Sequence, residues 1–410
     1  MGVAAVVDPT KWCTVIADDE GHVAGLRYRD PGGGNLGYTG LAWVAEPELF
    51  FRGLDAEIVS TGEVQVNAGF EAMIEAGSPP RVVAVEWTDT GADENYAVAR
   101  ERWSGSLDWG GKETDATYVV GSRVVKWFAD PGAASRRVDR QLTGLLPLPR
   151  FVGSAPGWLA YEYVEGPTLA EVSGRDVTAR ALDWAEREIW SELPYDAAFT
   201  EDCAGFYFDK TADRVAQAMT GLESSSEPEE LWINGIATRP VLANLGLALE
   251  GICASAIPST FHGDFHDGNV IDGPDGLVAI DWRDCFGTSL VRGDRIYDLA
   301  KFIHTLELSH EVMSAGLFSI SRSGDDLKVT HRDSPQLAEG RSSFWSWVDD
   351  RGYSSHSIGV VDALVFCNMA PLYRQPLSEY LYLLGRLLLH SRLAGDDAIE
   401  SVLDGSDDDR

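Results

Sequence analysis

Cysteine is scarce and unpatterned in this 410-residue chain. Cys13, Cys203, Cys253, Cys285 and Cys367 are odd in number, scattered, and never spaced C-x-x-C or in a Cys/His metal pattern. Neither a disulfide framework nor a structural zinc site is expected, and a reducing, cytoplasmic location is. The N-terminus, MGVAAVVDPTKW, offers no basic segment and no long apolar segment, so no secretory signal is expected. Long hydrophobic runs are lacking too. The stretches around 358–372 and 377–390 are broken by Asp362, Asn368, Pro371, Glu379 and Arg386, and read as core helices rather than membrane spans. Positive charge is in deficit: 33 Lys+Arg against 65 Asp+Glu give a net charge of −32. Such a surface repels phosphate backbones and anionic lipid, which argues against nucleic-acid and membrane partners. It suits a solvated acidic surface, or a small cationic substrate.

What is present is globular. Hydrophobic residues make up 44 % and charged residues 24 %, in a chain long enough for two or three units. No internal repeat is visible. Residues 1–105 form a turn-rich first region. In it CTVIADDEGHVAGLRY reads as a hairpin, EPELFFRGL and NAGFEAMIEAG as helices, and RVVAVEW as a strand. Residues 106–166 are β-rich, with TDATYVV and GSRVVKWF as hairpin partners, a helix near 133–145, a Pro-rich joint and the strand WLAYEYVEG. Residues 167–410 are mostly helical, with a polar loop at ESSSEPEE, a β-like insert near 317–331 and a disordered tail, DGSDDDR.

Phe261 to Asp284, FHGDFHDGNVIDGPDGLVAIDWRD, is the most informative stretch. A loop presents His262, Asp264, His266 and Asn269 within eight residues, and a short hairpin then delivers Asp281 at a strand end. Phosphoryl transfer needs one carboxylate to orient an acceptor hydroxyl and take its proton. It needs a second carboxylate, with an amide oxygen, to hold Mg²⁺ against the ATP phosphates. Asp264, with Asn269 and Asp281, meets that need.

HGDFHDGN followed by IDWRD resembles the catalytic and metal-binding motifs of the aminoglycoside phosphotransferase and choline kinase-like family, whose loop reads H-G-D-x-H-x-x-N. The resemblance implies an α+β, bilobal protein-kinase-like fold, with residues 106–166 as N-lobe and hinge and 167–410 as helical C-lobe. It implies that Asp264 is the catalytic base, that Asn269 and Asp281 bind Mg²⁺, and that His262 and His266 brace the loop. GDRIYDLAKF (293–302) supports it, with Asp294 and Asp298 expected as helix-capping or supporting groups.

The family's strand lysine is matched by Lys126, which alone of six lysines sits mid-strand, in SRVVKWF. YEYVEG is the expected adenine hinge, with Glu162 and Val164 offering backbone groups. Two features depart from the pattern. No G-x-G-x-x-G precedes Lys126; Gly110 and Gly111 stand alone, and the phosphate-covering turn is expected in ETDATY. The helix ASRRVDRQL has no glutamate for Lys126, which leaves Asp139 as its expected partner.

The first region, an α/β cap in this scheme, more weakly resembles the C-terminal part of sugar-1-phosphate nucleotidyltransferases, with Asp89 at the position of a metal-binding aspartate. The family's nucleotide-binding half is missing before residue 30, which implies a remnant without that activity. Together these readings imply ATP- and Mg²⁺-dependent O-phosphorylation of a small hydroxylated metabolite, a sugar, aminosugar or sugar-like compound, by a monomer or homodimer. The alternatives are an antibiotic-inactivating O-phosphotransferase and a non-catalytic, nucleotide-binding pseudokinase. Acceptor walls are expected from 185–258 and the C-terminal helices, with Glu188, Trp190, Asp196, Trp232, Trp345, Trp347, Asp349, Tyr373 and Tyr380 as candidates.

Overall fold

A computed structural model describes residues 1–56, 66–88, 115–172, 177–222 and 224–404. The chain divides into two compact units, Met1–Gly105 and Ser106–Arg410.

The first unit is built on a five-stranded sheet ordered Val23–Tyr28, Cys13–Ala17, Leu36–Tyr38, Gly2–Ala5 and Val83–Ala84. Only the last pairing is parallel. The expected hairpin at 13–28 is present, and both helices form, at Pro47–Ala56 and Val66–Glu75. Val3, Val15, Val23, Phe50, Phe70 and Met73 make its core. RVVAVEW contributes only Val83–Ala84 as strand. Asp89, Gly110 and Gly111 lie outside the described residues.

The second unit begins with a four-stranded antiparallel sheet ordered Asp115–Val120, Arg123–Phe128, Trp158–Glu162 and Phe151–Ala155. RVVKWF alternates as a half-buried strand should, so Val124, Lys126 and Phe128 share the buried face. That period of two, not the residue's chemistry, is what carries a lysine inward. The helix Pro131–Leu142 packs on this sheet behind an Asp130 cap whose carboxylate accepts the Gly132 N–H at 2.8 Å. The part of ETDATY that is described, Asp115–Tyr118, is strand rather than turn, because it pairs along its length with Val125–Phe128.

A linker, 163–167, leads into the helical part. Gly166 holds φ +144°, and a Cβ there would collide with the Asp272 carbonyl, so the linker closes tightly on the hairpin Val270–Gly273/Gly276–Ala279. Beyond it, the helices Arg295–Glu307, Ser355–Met369 and Leu377–Leu393 carry one large apolar core. Among the described residues one helical stretch, Ser355–Leu372, is by length and composition apolar enough to cross a membrane, and Ser357–Cys367 within it is buried against its neighbours. A five-residue π-helical turn, Gly205–Asp209, interrupts the helical run 197–221. The β-insert forms as Phe318–Ser323 and Asp326–Arg332, joined in one sheet by an unexpected hairpin, Leu231–Ile233/Ile236–Thr238. A small antiparallel sheet with one helix, a linker, and a helical lobe bearing the HGDFHDGN loop make this unit an α+β, bilobal protein-kinase-like fold.

Candidate active site

The loop starts where the strand Pro258–Thr260 ends, paired with Arg292–Asp294. Gly263 holds φ +88°, and a Cβ there would lie 2.5 Å from Cβ of Arg283, so only glycine fits between the loop and the IDWRD segment. His262 is fully buried, and its Nδ1 accepts the Asp264 N–H at 3.3 Å. His266 caps the 3₁₀ turn Asp267–Asn269 through Nδ1, which accepts the Gly268 N–H at 3.1 Å. Both histidines brace the loop, and His266 also lines the cleft.

Asp264 and Asn269 are held together: Asn269 Nδ2 donates to the Asp264 carbonyl at 2.9 Å. That use of the amide nitrogen leaves the Oδ1 oxygen as the group able to take a hard cation. Asp281 sits at φ +61°, a left-handed conformation that aspartate adopts more readily than most residues other than glycine. Lys126, with 8 % of its surface exposed, donates from Nζ to Asp281 Oδ1. Burial pushes the Asp281 carboxyl up, but the Lys126 charge and hydrogen bond outweigh it and hold the group below its usual value. Among the described residues, no three His, Cys, Asp or Glu side chains are arranged to hold a metal. Asn269 and Asp281 supply hard oxygens that fit Mg²⁺, which keeps several of its ligands from phosphate and water.

The expected Asp139 partner for Lys126 is exposed on its helix, and Asp281 takes that place. The same helix contributes arginines instead. Arg136 pairs with Asp284 at 2.7 Å, Arg137 donates to the Trp282 carbonyl at 3.1 Å, and Arg140 donates to the carbonyls of Phe261, His262 and Arg283. Arg140 is buried, with its guanidinium 4.0 Å over the Phe261 ring, and burial lowers it to about 10. Three cations on one helix thus clamp both functional segments. Their spacing, Arg-Arg-x-x-Arg, was the available signal, and their partners, 121 to 148 residues away, were not readable from it.

Asp294 and Asp298 divide the expected roles. Asp294 caps the helix Arg295–Glu307 through the Ile296 N–H at 3.0 Å, and burial raises it to about 6. Asp298 is fully buried and accepts the His262 and Gly263 N–H groups at 2.7 and 2.6 Å and Trp190 Nε1 at 2.9 Å. Burial raises it as well, against those hydrogen bonds. One turn further along, Lys301 Nζ lies 2.7 Å from Asp264 Oδ1, a contact the sequence did not suggest.

Lys126, Asp264, Asp281 and Lys301 face one cleft of about 300 Å³. Asp115, Thr117, Lys126 and Leu159 line its sheet side; Lys301, His304, His310, Met369 and Tyr373 line its helical side. Of the expected acceptor residues only Tyr373 is there. Trp190 is spent on Asp298, Trp347 on Asp183, Asp196 on Arg292, and Tyr380 on His331. At the linker, the Glu162 N–H is used by the Arg150 carbonyl at 2.9 Å, and its side chain pairs with Arg150. Val164, two residues on, packs toward Gly273.

The buried His262 has a consequence for stability. Burial pushes its imidazole down to about 4, whereas an unfolded histidine titrates near about 6.5. Between those values the unfolded chain binds a proton that the folded chain does not. The neutral ring's contribution is therefore complete above about pH 6.5 and lost as pH falls toward 4. Asp294, raised to about 6, acts in the opposite sense at its own lower window, so only a difference between variants isolates the histidine. In urea unfolding, the drop in stability from pH 7 to pH 5 is expected to be smaller in His262→Asn than in wild type by about 2 kcal/mol. Equal drops in both proteins would contradict it.

No protein-family model and no curated protein matches the chain. Among solved structures it is similar to a glucosamine kinase, at 15 % identity over 74 % of this chain and 87 % of that one, with a TM-score of 0.35. It is similar to APH(2″)-IIa in a ternary complex with streptomycin and ATP, at 16 % over 77 % and 100 %, TM-score 0.40. It is similar to an ethanolamine kinase of Plasmodium vivax, at 9 % over 82 % and 95 %, TM-score 0.42. All three likenesses lie below a TM-score of 0.5, and the functional reading rests on the site.

Proposed function

We propose that the chain transfers the γ-phosphoryl group of ATP, with Mg²⁺, to a hydroxyl of a small polyhydroxylated metabolite: a sugar, an aminosugar or a sugar-like compound. One observation carries this reading. Two carboxylates, Asp264 and Asp281, face one cleft, the first tied to an amide ligand, Asn269, and the second to a buried lysine, Lys126.

Asp264 orients the acceptor hydroxyl and takes its proton late, as the oxygen bonds to phosphorus. Asn269 and Asp281 would hold Mg²⁺, which neutralises phosphate charge when bound. Lys126 brings an ammonium to the phosphates from the buried face of the sheet, where it now pairs with Asp281. Glu162 and Val164 offer the backbone edge on which adenine rests; the Glu162 N–H is engaged, so its carbonyl is the acceptor assigned to adenine. Leu159 and Trp282 give the cleft apolar walls. In the cleft Lys126, Arg137 and Lys301 balance Asp115, Asp264 and Asp281, so the chain's charge of −32 is offset where a polyanionic nucleotide would sit.

Lys126→Ala is expected to lower kcat by about a hundredfold with ATP KM changed only a few-fold, since the ammonium acts on charge in the transition state. Steady-state kinetics decide it: a change confined to the acceptor's KM would mean Lys126 does not serve the phosphates. The reaction itself is tested by ADP release across sugars, aminosugars, aminoglycosides and nucleosides. Turnover on at least one sugar or aminosugar is expected, and best turnover on an aminoglycoside would favour the antibiotic-inactivating alternative.

A further inference from the structure

We propose that Lys301 is a positioning residue for this transfer: its ammonium fixes the orientation of the Asp264 carboxylate. The role rests on the kinase reading above, and goes beyond it in assigning work to a residue outside the two motifs.

The helix Arg295–Glu307 is buried along its whole length, which makes it a rigid support. Asp294 caps its start, and at its end Glu307 pairs with the buried Arg392 at 2.7 Å. Asp298 and Lys301 stand three residues apart, hence on one face. Asp298 accepts the backbone N–H groups of His262 and Gly263, and Lys301 takes the side chain of the next residue, Asp264. One helix therefore holds three successive loop residues, two by backbone and the third by its carboxylate.

The contact is suited to alignment. At 2.7 Å it is a charge-assisted hydrogen bond, and Lys301 is only 9 % exposed, so water competes little for the ammonium. The other carboxylate oxygen lies 3.5 Å from Asn269 Nδ2, so the group is bracketed on both sides. A nearby cation weakens any carboxylate as a base. That cost is tolerable where the proton leaves late, because the main task is to point the nucleophile in line with the leaving group. In the step, the acceptor O–P bond forms as the bond from γ-phosphorus to the ADP oxygen breaks. The hydroxyl proton passes to Asp264, and Lys301 keeps its own protons throughout.

The test uses the full chain with MgATP and the sugar or aminosugar turned over fastest in the ADP-release panel. Lys301→Met is expected to lose about fiftyfold in kcat with ATP KM within about threefold, and Lys301→Arg to recover to within about tenfold of wild type. The double variant Asp264→Asn/Lys301→Met should be no more than about threefold slower than Asp264→Asn alone, since the side chain Lys301 orients is then no longer a base. A purely structural lysine would not give that non-additivity. Should Lys301→Met not fold, Lys301→Gln, which keeps an N–H donor without the charge, is read in its place. A folded Lys301→Met within about threefold of wild-type kcat, or losses that multiply in the double variant, would overturn the role while leaving the kinase reading standing. Wild-type protein that releases no ADP with any acceptor would instead overturn the kinase reading, and this role with it.

Discussion

Asp264→Asn is expected to lower kcat by about a hundredfold or more, the usual scale for losing a general base. The change keeps size and hydrogen bonding, and removes only the ability to accept the acceptor's proton as a charged base. The loop itself should persist. Its backbone is held by Asp298 and Arg140, and Asn269 binds the residue-264 carbonyl, none of which depends on the carboxylate. Lys301 loses its counter-ion, so a stability cost on the order of 1–2 kcal/mol accompanies the change, discounted because Asp264 is one-third exposed. ATP KM should move little, because Lys126 and the linker lie across the cleft. A folded Asp264→Asn enzyme with kcat within a few-fold of wild type, by steady-state ADP release, would remove Asp264 from the chemistry.

Asp281→Asn is expected to abolish Mg²⁺-dependent turnover, by about a thousandfold or more, with the fold intact. The cause is double. The proposed metal pair, Asn269 and Asp281, loses its only negative charge. Lys126 loses the anion that holds it, and its ammonium is nearly buried. Raising Mg²⁺ should restore part of the rate if the metal site is weakened rather than destroyed. Near-normal kcat in folded Asp281→Asn, at ordinary Mg²⁺, would contradict the assignment.

What the sequence showed and what it hid follow the range of the interactions. HGDFHDGN and IDWRD are joined by a ten-residue hairpin, so their residues could be placed together from local pattern; Asp264 and Asp281 line one cleft, and Asn269 donates to the Asp264 carbonyl. Lys126 could be found from a period of two in one strand. Its partner could not: the expected Asp139 is near in sequence but faces solvent, while Asp281 lies 155 residues on. The same holds for Arg140 and for Lys301, whose helix was legible and whose contact with Asp264 was not. Bulky aromatic residues misled for a different reason. Trp190, Trp347 and Tyr380 suggested acceptor walls, but their polar tips are consumed by structural hydrogen bonds, as large amphipathic side chains in a core require. One local signal was overlooked. Asn234-Gly235, between LWI and IAT, holds positive φ at both residues and is a strong two-residue hairpin turn.

The most direct measurement is the identity of the products when the full chain meets MgATP and the acceptor panel, read by phosphorus NMR and mass spectrometry. The account predicts one ADP for each acceptor that gains a phosphoryl group on oxygen, dependent on Mg²⁺ and lost in Asp264→Asn. ATP left intact with every acceptor, or phosphorylation that proceeds equally in Asp264→Asn, would contradict it.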